Sequence, residues 1–193
     1  IKRSIRAPAG CKVVSADSSQ IQARLTAWLA GQQDKVEAFA QGRDVYSEFA
    51  TRIYGRPVDR KKRPEEDFIP GQVGKISELS FLFQQGWYTA AFNFLKGHLG
   101  APPIQFTERD LVAMQIDPTR FLNNPKNVET VSQMPSRLEM GDRLIHCAVT
   151  NGIVQLWRQS NRQISDSKTG LWSTMEGVIN AIIDTWNNLS FDL

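Results

Sequence analysis

Apolar residues recur at helical spacing over much of the chain. Ile21, Leu25, Trp28 and Leu29 return every three or four positions, as one face of a helix requires. They follow Val13 and Val14, a β-branched pair within residues 12–17 that predicts a short buried strand. The opening of the chain therefore reads as strand, tight turn, helix. Two further helical patterns come next, Val36 to Ala40 and then Val45, Phe49, Ala50 and Ile53, the second closed by Gly55 and Pro57. Residues 56–70, RPVDRKKRPEEDFIP, set opposed charge blocks among three prolines and predict an exposed, mobile connection. A long helix is expected from just after Pro70, and LGAPPIQFT at 99–107 breaks the chain again. Ser136 and Glu139 have the spacing of a capping box for a helix running towards Trp157. The last pattern is a single apolar stripe, Leu171, Met175, Val178, Ile179, Ile182, Ile183 and Trp186, with Ser173 and Glu176 spaced as a capping box at its start.

These elements predict an α+β fold that is predominantly helical, in one or two compact subdomains. With 193 residues, 41% hydrophobic and 22% charged, the chain is long enough for one sizeable core. No apolar run approaches the roughly 20 residues of a membrane span, and IKRSIRAPAG at the start lacks the apolar centre of a signal peptide. A cytoplasmic protein with no membrane partner is expected. Cys11 and Cys147 stand in no CxxC pair and near no spaced histidine pair, so reduced thiols are expected rather than a disulfide framework or a zinc site. The net charge of +3 is small, but Lys2, Arg3 and Arg6 cluster near one end and RKKR occupies 60–63. Such clusters suit a polyanion, and suit a solvated loop equally well.

Candidate chemistry concentrates in two places. Asp17 ends the expected strand, where a rigid scaffold can hold a carboxylate at its rim; it reads either as a helix cap or as a working group. Gly71, Lys75, Leu79 and Phe83 lie four residues apart, so a helix would set them in one row, with a cation placed for phosphate and apolar groups placed for a base. Leu79 and Phe83 are also what an ordinary core face would carry.

The stretch SADSSQIQARLTAWLAGQQDKVEAFAQGRDVYSEFA resembles motif A and the following helices of family A DNA polymerases, particularly bacteriophage ones. Asp17, Ser19, Gln20, Ile21 and Arg24 match the family pattern. GQVGKISELSFLFQQG at 71–86 resembles motif B, on the fingers helix that faces the incoming nucleotide, and GIVQLWR at 152–158 is similar to a weaker phage-type segment. The resemblance covers most of the first hundred residues well and the remainder loosely. It implies part of the palm and fingers of a right-hand polymerase. Residues 1–55 would carry the palm strand and motif A helices, 56–70 the exposed connection, 71–135 the fingers with the motif B helix, and 136–193 the C-terminal helices. It further implies Asp17 as catalytic carboxylate and Mg²⁺ ligand, and Gln20, Gln22, Tyr46, Lys75, Leu79 and Phe83 as nucleotide-binding positions. The expected partners are a DNA primer-template and deoxynucleoside triphosphates, in a phage-infected or prophage-carrying bacterial host.

Several positions depart from the family pattern. Gln22 replaces a glutamate, Gly71 an arginine, Phe83 a tyrosine, and Tyr46 stands where many members carry histidine. Neither His98 nor His146 is followed by aspartate, so the His-Asp-Glu of motif C is not in this sequence. The implied function is template-directed DNA synthesis by a parent polymerase, with this chain an incomplete fragment, expected to be inactive alone. The rival expectation is a non-catalytic DNA-binding module derived from a polymerase.

Overall fold

The computed structural model describes residues 6–14, 16 and 18–187. Among them eleven helices follow in order: α1 Ile21–Ala30, α2 Gln33–Ala40, α3 Val45–Tyr54, α4 Phe68–Phe81, α5 Trp87–Lys96, α6 Glu108–Ala113, α7 Thr119–Leu122, α8 Pro125–Ser132, α9 Met140–Ser160, α10 Arg162–Ser165 and α11 Leu171–Asn187. The predominantly helical class agrees with the sequence. The expected strand does not form among the described residues. Val13 and Val14 are 56% and 88% exposed, and a strand without a partner has no ladder to hold it. Ser15 and Asp17, the remaining polar end of that stretch, lie outside the described residues.

Local signals explain several boundaries. The Asp44 carboxylate accepts from Tyr46 N–H at 3.3 Å and from the Ser47 hydroxyl at 3.0 Å, fixing the start of α3. Gly55, at φ 61°, ends that helix in a left-handed turn that a β-carbon would oppose. Helix α4 begins at Phe68 rather than after Pro70, because proline is tolerated in a first turn whose N–H groups have no intrahelical partner. The Ser136 hydroxyl instead accepts from Leu138 N–H at 3.1 Å, and α9 starts later, at Met140, without that box. Ser173 donates back to Gly170 O at 3.0 Å, so the second expected box does not cap α11 either.

The core gathers around α9. Trp157 is fully buried, stacked on Trp172 at 5.8 Å and meeting Phe81 edge-on at 6.0 Å, while Val149, Ile153 and Val154 pack towards α3, α4 and α5. A second cluster behind α9 joins Cys147 and Ala148 to Ala91, Phe121, Val131 and Met134. Between them His146 is buried, accepting from Phe106 N–H at Nδ1 (3.0 Å), so its Nε2–H is left to donate to Ala91 O (3.0 Å). Burial, opposed by the Ala91 carbonyl, holds the imidazole pKa below its ordinary 6.5. The unfolded chain thus binds a proton more readily, so stability is full above pH about 6.5 and falls as the pH drops towards the lower folded value. His146→Gln, which cannot titrate, is expected to flatten that fall in urea midpoints measured across this range. An unchanged slope would remove His146 as its cause.

Two apolar faces read from the sequence are not buried. In α1 the small residues Ala23 and Ala27 face the core, and Ile21, Leu25, Trp28 and Leu29 are half or more exposed. In α11, Met175, Val178, Ile179, Ile182 and Ile183 are similarly open. Helical periodicity located both helices correctly. No helix among the described residues is long and apolar enough to cross a membrane.

Candidate functional site

The first half of α4 lies against α3, and their contact depends on Gly74. A β-carbon there would fall 2.2 Å from Tyr46 O and 3.0 Å from Ala50 Cβ, so only glycine admits so close an approach. This closeness sets the Tyr46 backbone, on α3, against Gly74, while the Tyr46 ring meets Arg60, which packs over Gly71. Tyr46 is buried, with the Gln20 side chain, at the N-terminal end of α1, close enough to lower its pKa slightly. Burial raises the Tyr46 pKa above its ordinary 10, against the lowering pull of the Arg60 guanidinium.

The row itself holds for three of its four members. Gly71, Lys75 and Leu79 follow one another along α4, with Leu79 partly buried against the core. Phe83 does not continue it, because α4 ends at Phe81, Gln84 turns at φ 59°, and the Phe83 side chain is 66% exposed. The Lys75 ammonium donates to Leu99 O at 3.0 Å, in the loop after α5, which leaves two of its three donors for another ligand. Gln22 is exposed on α1, and Asp17 lies outside the described residues. Among the described residues no group of three or more His, Cys, Asp or Glu side chains is placed to hold a metal ion. The structure thus links Tyr46 to Gly71 through Arg60, places Lys75 one helical turn beyond Gly71, and leaves Phe83 apart.

The expected exposed connection supplies ion pairs that the sequence, which marked RKKR only as a basic cluster, did not assign. Asp67 is fully buried, taking Asp59 N–H at 2.7 Å, Arg56 at 2.8 Å and Arg63 at 3.0 Å. That backbone donor first, and then the two guanidiniums, hold its carboxyl below the usual range despite burial. Arg60 reaches from the same segment to Asp44, Nε to Oδ2 at 2.7 Å and Nη2 to Oδ1 at 3.3 Å, with its guanidinium 4.8 Å from the Tyr46 ring centre. Burial pushes the Asp44 carboxyl up, but Arg60, Ser47 and the Tyr46 N–H together outweigh it and hold it low.

One turn beyond Gly74 on α4, Glu78 is buried and accepts from the Lys35 ammonium and from Trp157 Nε1, the latter at 3.0 Å. A cavity of about 660 Å³ opens elsewhere, between α9 and the segment from Met114 to Asn127, lined by Gln115, Arg120, Asn124, Asn127, Asn151 and Gln155 among others. Nothing in the sequence motifs pointed to it.

Comparison with known proteins finds partial similarity to bacterial DNA polymerases. The chain is 36% identical over 66 residues to DNA polymerase I of Chloroflexus aurantiacus, covering 33% of this chain and 7% of that protein. It is 35% identical over 59 residues to the thermostable DNA polymerase I of Thermus thermophilus, covering 31% and 7%. With DNA polymerase I of Mycobacterium tuberculosis it shares 42% over 48 residues, covering 25% and 5%. The matched part of the chain thus spans no more than 7% of the length of these relatives. No family model matches the chain, and no solved structure matches it. The similarity supports an origin related to DNA synthesis.

Proposed function

We propose that this chain carries the nucleotide-binding portion of a bacteriophage-type family A DNA polymerase, with motif A around Asp17 and motif B on α4. The parent activity is template-directed addition of deoxynucleotides to a primer 3'-hydroxyl. The observation that supports this reading is that Tyr46 and Gly71 both meet Arg60, and that Lys75 follows Gly71 one helical turn later along α4. Lys75 meets the triphosphate, Leu79 packs near the base, and Gln20 and Tyr46 shape the sugar and phosphate side.

Asp17 is the proposed Mg²⁺ ligand. A hard cation of this kind takes one or two carboxylates and completes its shell with water and substrate phosphate oxygens, so a single acidic position suits it. Bound there, the ion would supply charge stabilisation for phosphoryl chemistry. Gln20, Tyr46 and Lys75 orient the triphosphate beside it.

Residues 1–193 alone are expected to bind deoxynucleoside triphosphates weakly and not to extend a primer, since the sequence holds no His-Asp-Glu triplet. A charged hydrogen bond contributes about 1.5–3 kcal/mol, so Lys75→Ala should weaken dATP about tenfold or more in equilibrium titration. Primer-template affinity should fall steeply with salt, as counterion release requires. The second reading, a non-catalytic DNA-binding module, draws on Gln22, Gly71 and Phe83. Salt-dependent primer-template binding with no saturable dATP binding would favour it over the first.

A further inference from the structure

We propose that Arg60 is a second phosphate ligand of this site, a guanidinium that meets the polyphosphate of a bound nucleotide beside the Lys75 ammonium. The inference rests on the nucleotide reading of the α4 face. Arg60 leaves the segment between α3 and α4, its backbone N–H donating to the Ser47 hydroxyl at 3.4 Å. Its side chain then crosses Gly71 so closely that a β-carbon there would lie 2.7 Å from Arg60 Cβ and 3.2 Å from Cδ. Gly71 precedes Lys75 by one helical turn on the same face, so the Arg60 stem fills the next place in the row that Lys75 continues. Two cations from separate segments thus flank one strip of α4, an arrangement suited to a ligand with several adjacent negative charges.

The guanidinium is oriented and still accessible. Stacking on Tyr46 and the fork to Asp44 fix its plane, while 26% of the side chain remains exposed. Asp44 engages Nε and Nη2, and an arginine has five N–H donors, so donors remain for phosphate oxygens. Asp44 is therefore a competitor of the ligand as well as an anchor. This sets the role apart from a structural ion pair, because the two make opposite forecasts for Asp44→Asn. That change keeps the Oδ1 acceptor that caps α3 at Tyr46 N–H and removes the charge that competes for Arg60.

The test is equilibrium binding of dATP to the full chain, with urea midpoints confirming that each variant folds. Arg60→Gln should weaken binding about tenfold, the scale of one charged contact, and Arg60→Lys should fall between. Asp44→Asn should tighten it about threefold by releasing the guanidinium. Arg60→Gly with Gly71→Arg, which removes the clashing β-carbon and returns a guanidinium from α4, should recover most of the affinity lost in Arg60→Gly. Gly71→Arg alone meets the Arg60 stem and should not tighten binding. Unchanged affinity in Arg60→Gln while Lys75→Ala weakens it would overturn the proposal and leave the nucleotide site standing, as would parallel losses in Arg60→Gln and Asp44→Asn. Loss of response to Lys75 and Arg60 alike would remove the nucleotide reading, and this inference with it.

Discussion

Glu78→Ala is expected to destabilise the fold by about 3–5 kcal/mol, the cost of breaking a buried ion pair by removing one partner. Glu78 is 1% exposed and Lys35 is 8% exposed, so the ammonium left behind would be largely desolvated without its carboxylate. Trp157 Nε1, which donates to the same oxygen at 3.0 Å, would lose its acceptor as well. The Lys35 ammonium also sits 5.2 Å from the Trp157 ring centre, a contact that cannot offset the missing charge. Three helices meet at this carboxylate, α2 through Lys35, α4 through Glu78 and α9 through Trp157. Replacing both charges, Lys35→Met with Glu78→Met, should recover much of the loss, because no ion is then buried unpaired. Urea unfolding at neutral pH measures both. A double variant as unstable as Glu78→Ala would show that packing, not the unpaired ammonium, is responsible. Glu78 stands three residues after Lys75 on α4, so this anchor also fixes the register in which Lys75 is presented.

Gly74→Ala is expected to cost about 1–3 kcal/mol or more and to abolish detectable nucleotide binding. The new methyl would enter at 2.2 Å from a backbone oxygen, Tyr46 O, which cannot rotate away as a side-chain tip would. Ala50, its other neighbour, is fully buried, so α3 and α4 must separate. Separation carries Tyr46 and its Arg60 contact away from the Lys75 row, and a shift of about 1 Å suffices to spoil a positioned site. Gly71→Ala offers a comparison, since its methyl meets Arg60 Cβ at 2.7 Å, and relief there needs a shift of the connecting segment that carries Arg60 rather than the parting of two packed helices. It should destabilise less than Gly74→Ala. Equal stability of wild type and Gly74→Ala would mean that the two helices do not approach as described.

The parts of this structure legible in the sequence are those set by local chemistry. Gly55 ends α3 where the sequence places the stop, because left-handed φ is a property of a single residue, whereas the Asp44 cap at its start was not marked. The row Gly71, Lys75, Leu79 followed from helical spacing, and failed at Phe83 because a helix end is decided by a turn, here through Gln84, that spacing does not encode. Apolar patterning found α1 and α11 without saying which face meets the core. In α1 the alanines pack, since close helix approach selects small side chains, and the large residues point outward. Val13 and Val14 looked like a strand because β-branching favours extended backbone, yet no neighbouring strand is present among the described residues to pair with them. Arg60 and Asp67 were hidden inside a charge run that reads as solvated. Their roles depend on contacts to Asp44, Arg56 and Asp59 that only the folded chain creates.

Photoaffinity labelling with 8-azido-dATP, followed by peptide mapping, tests the central claim most directly, because it locates the nucleotide without assuming catalysis. The account predicts saturable labelling, competed by dATP, on peptides from Gln20 to Leu79, reduced in Lys75→Ala. Labelling on peptides lining the α9 cleft, around Asn124, Asn151 and Gln155, or labelling that dATP does not compete, would contradict it.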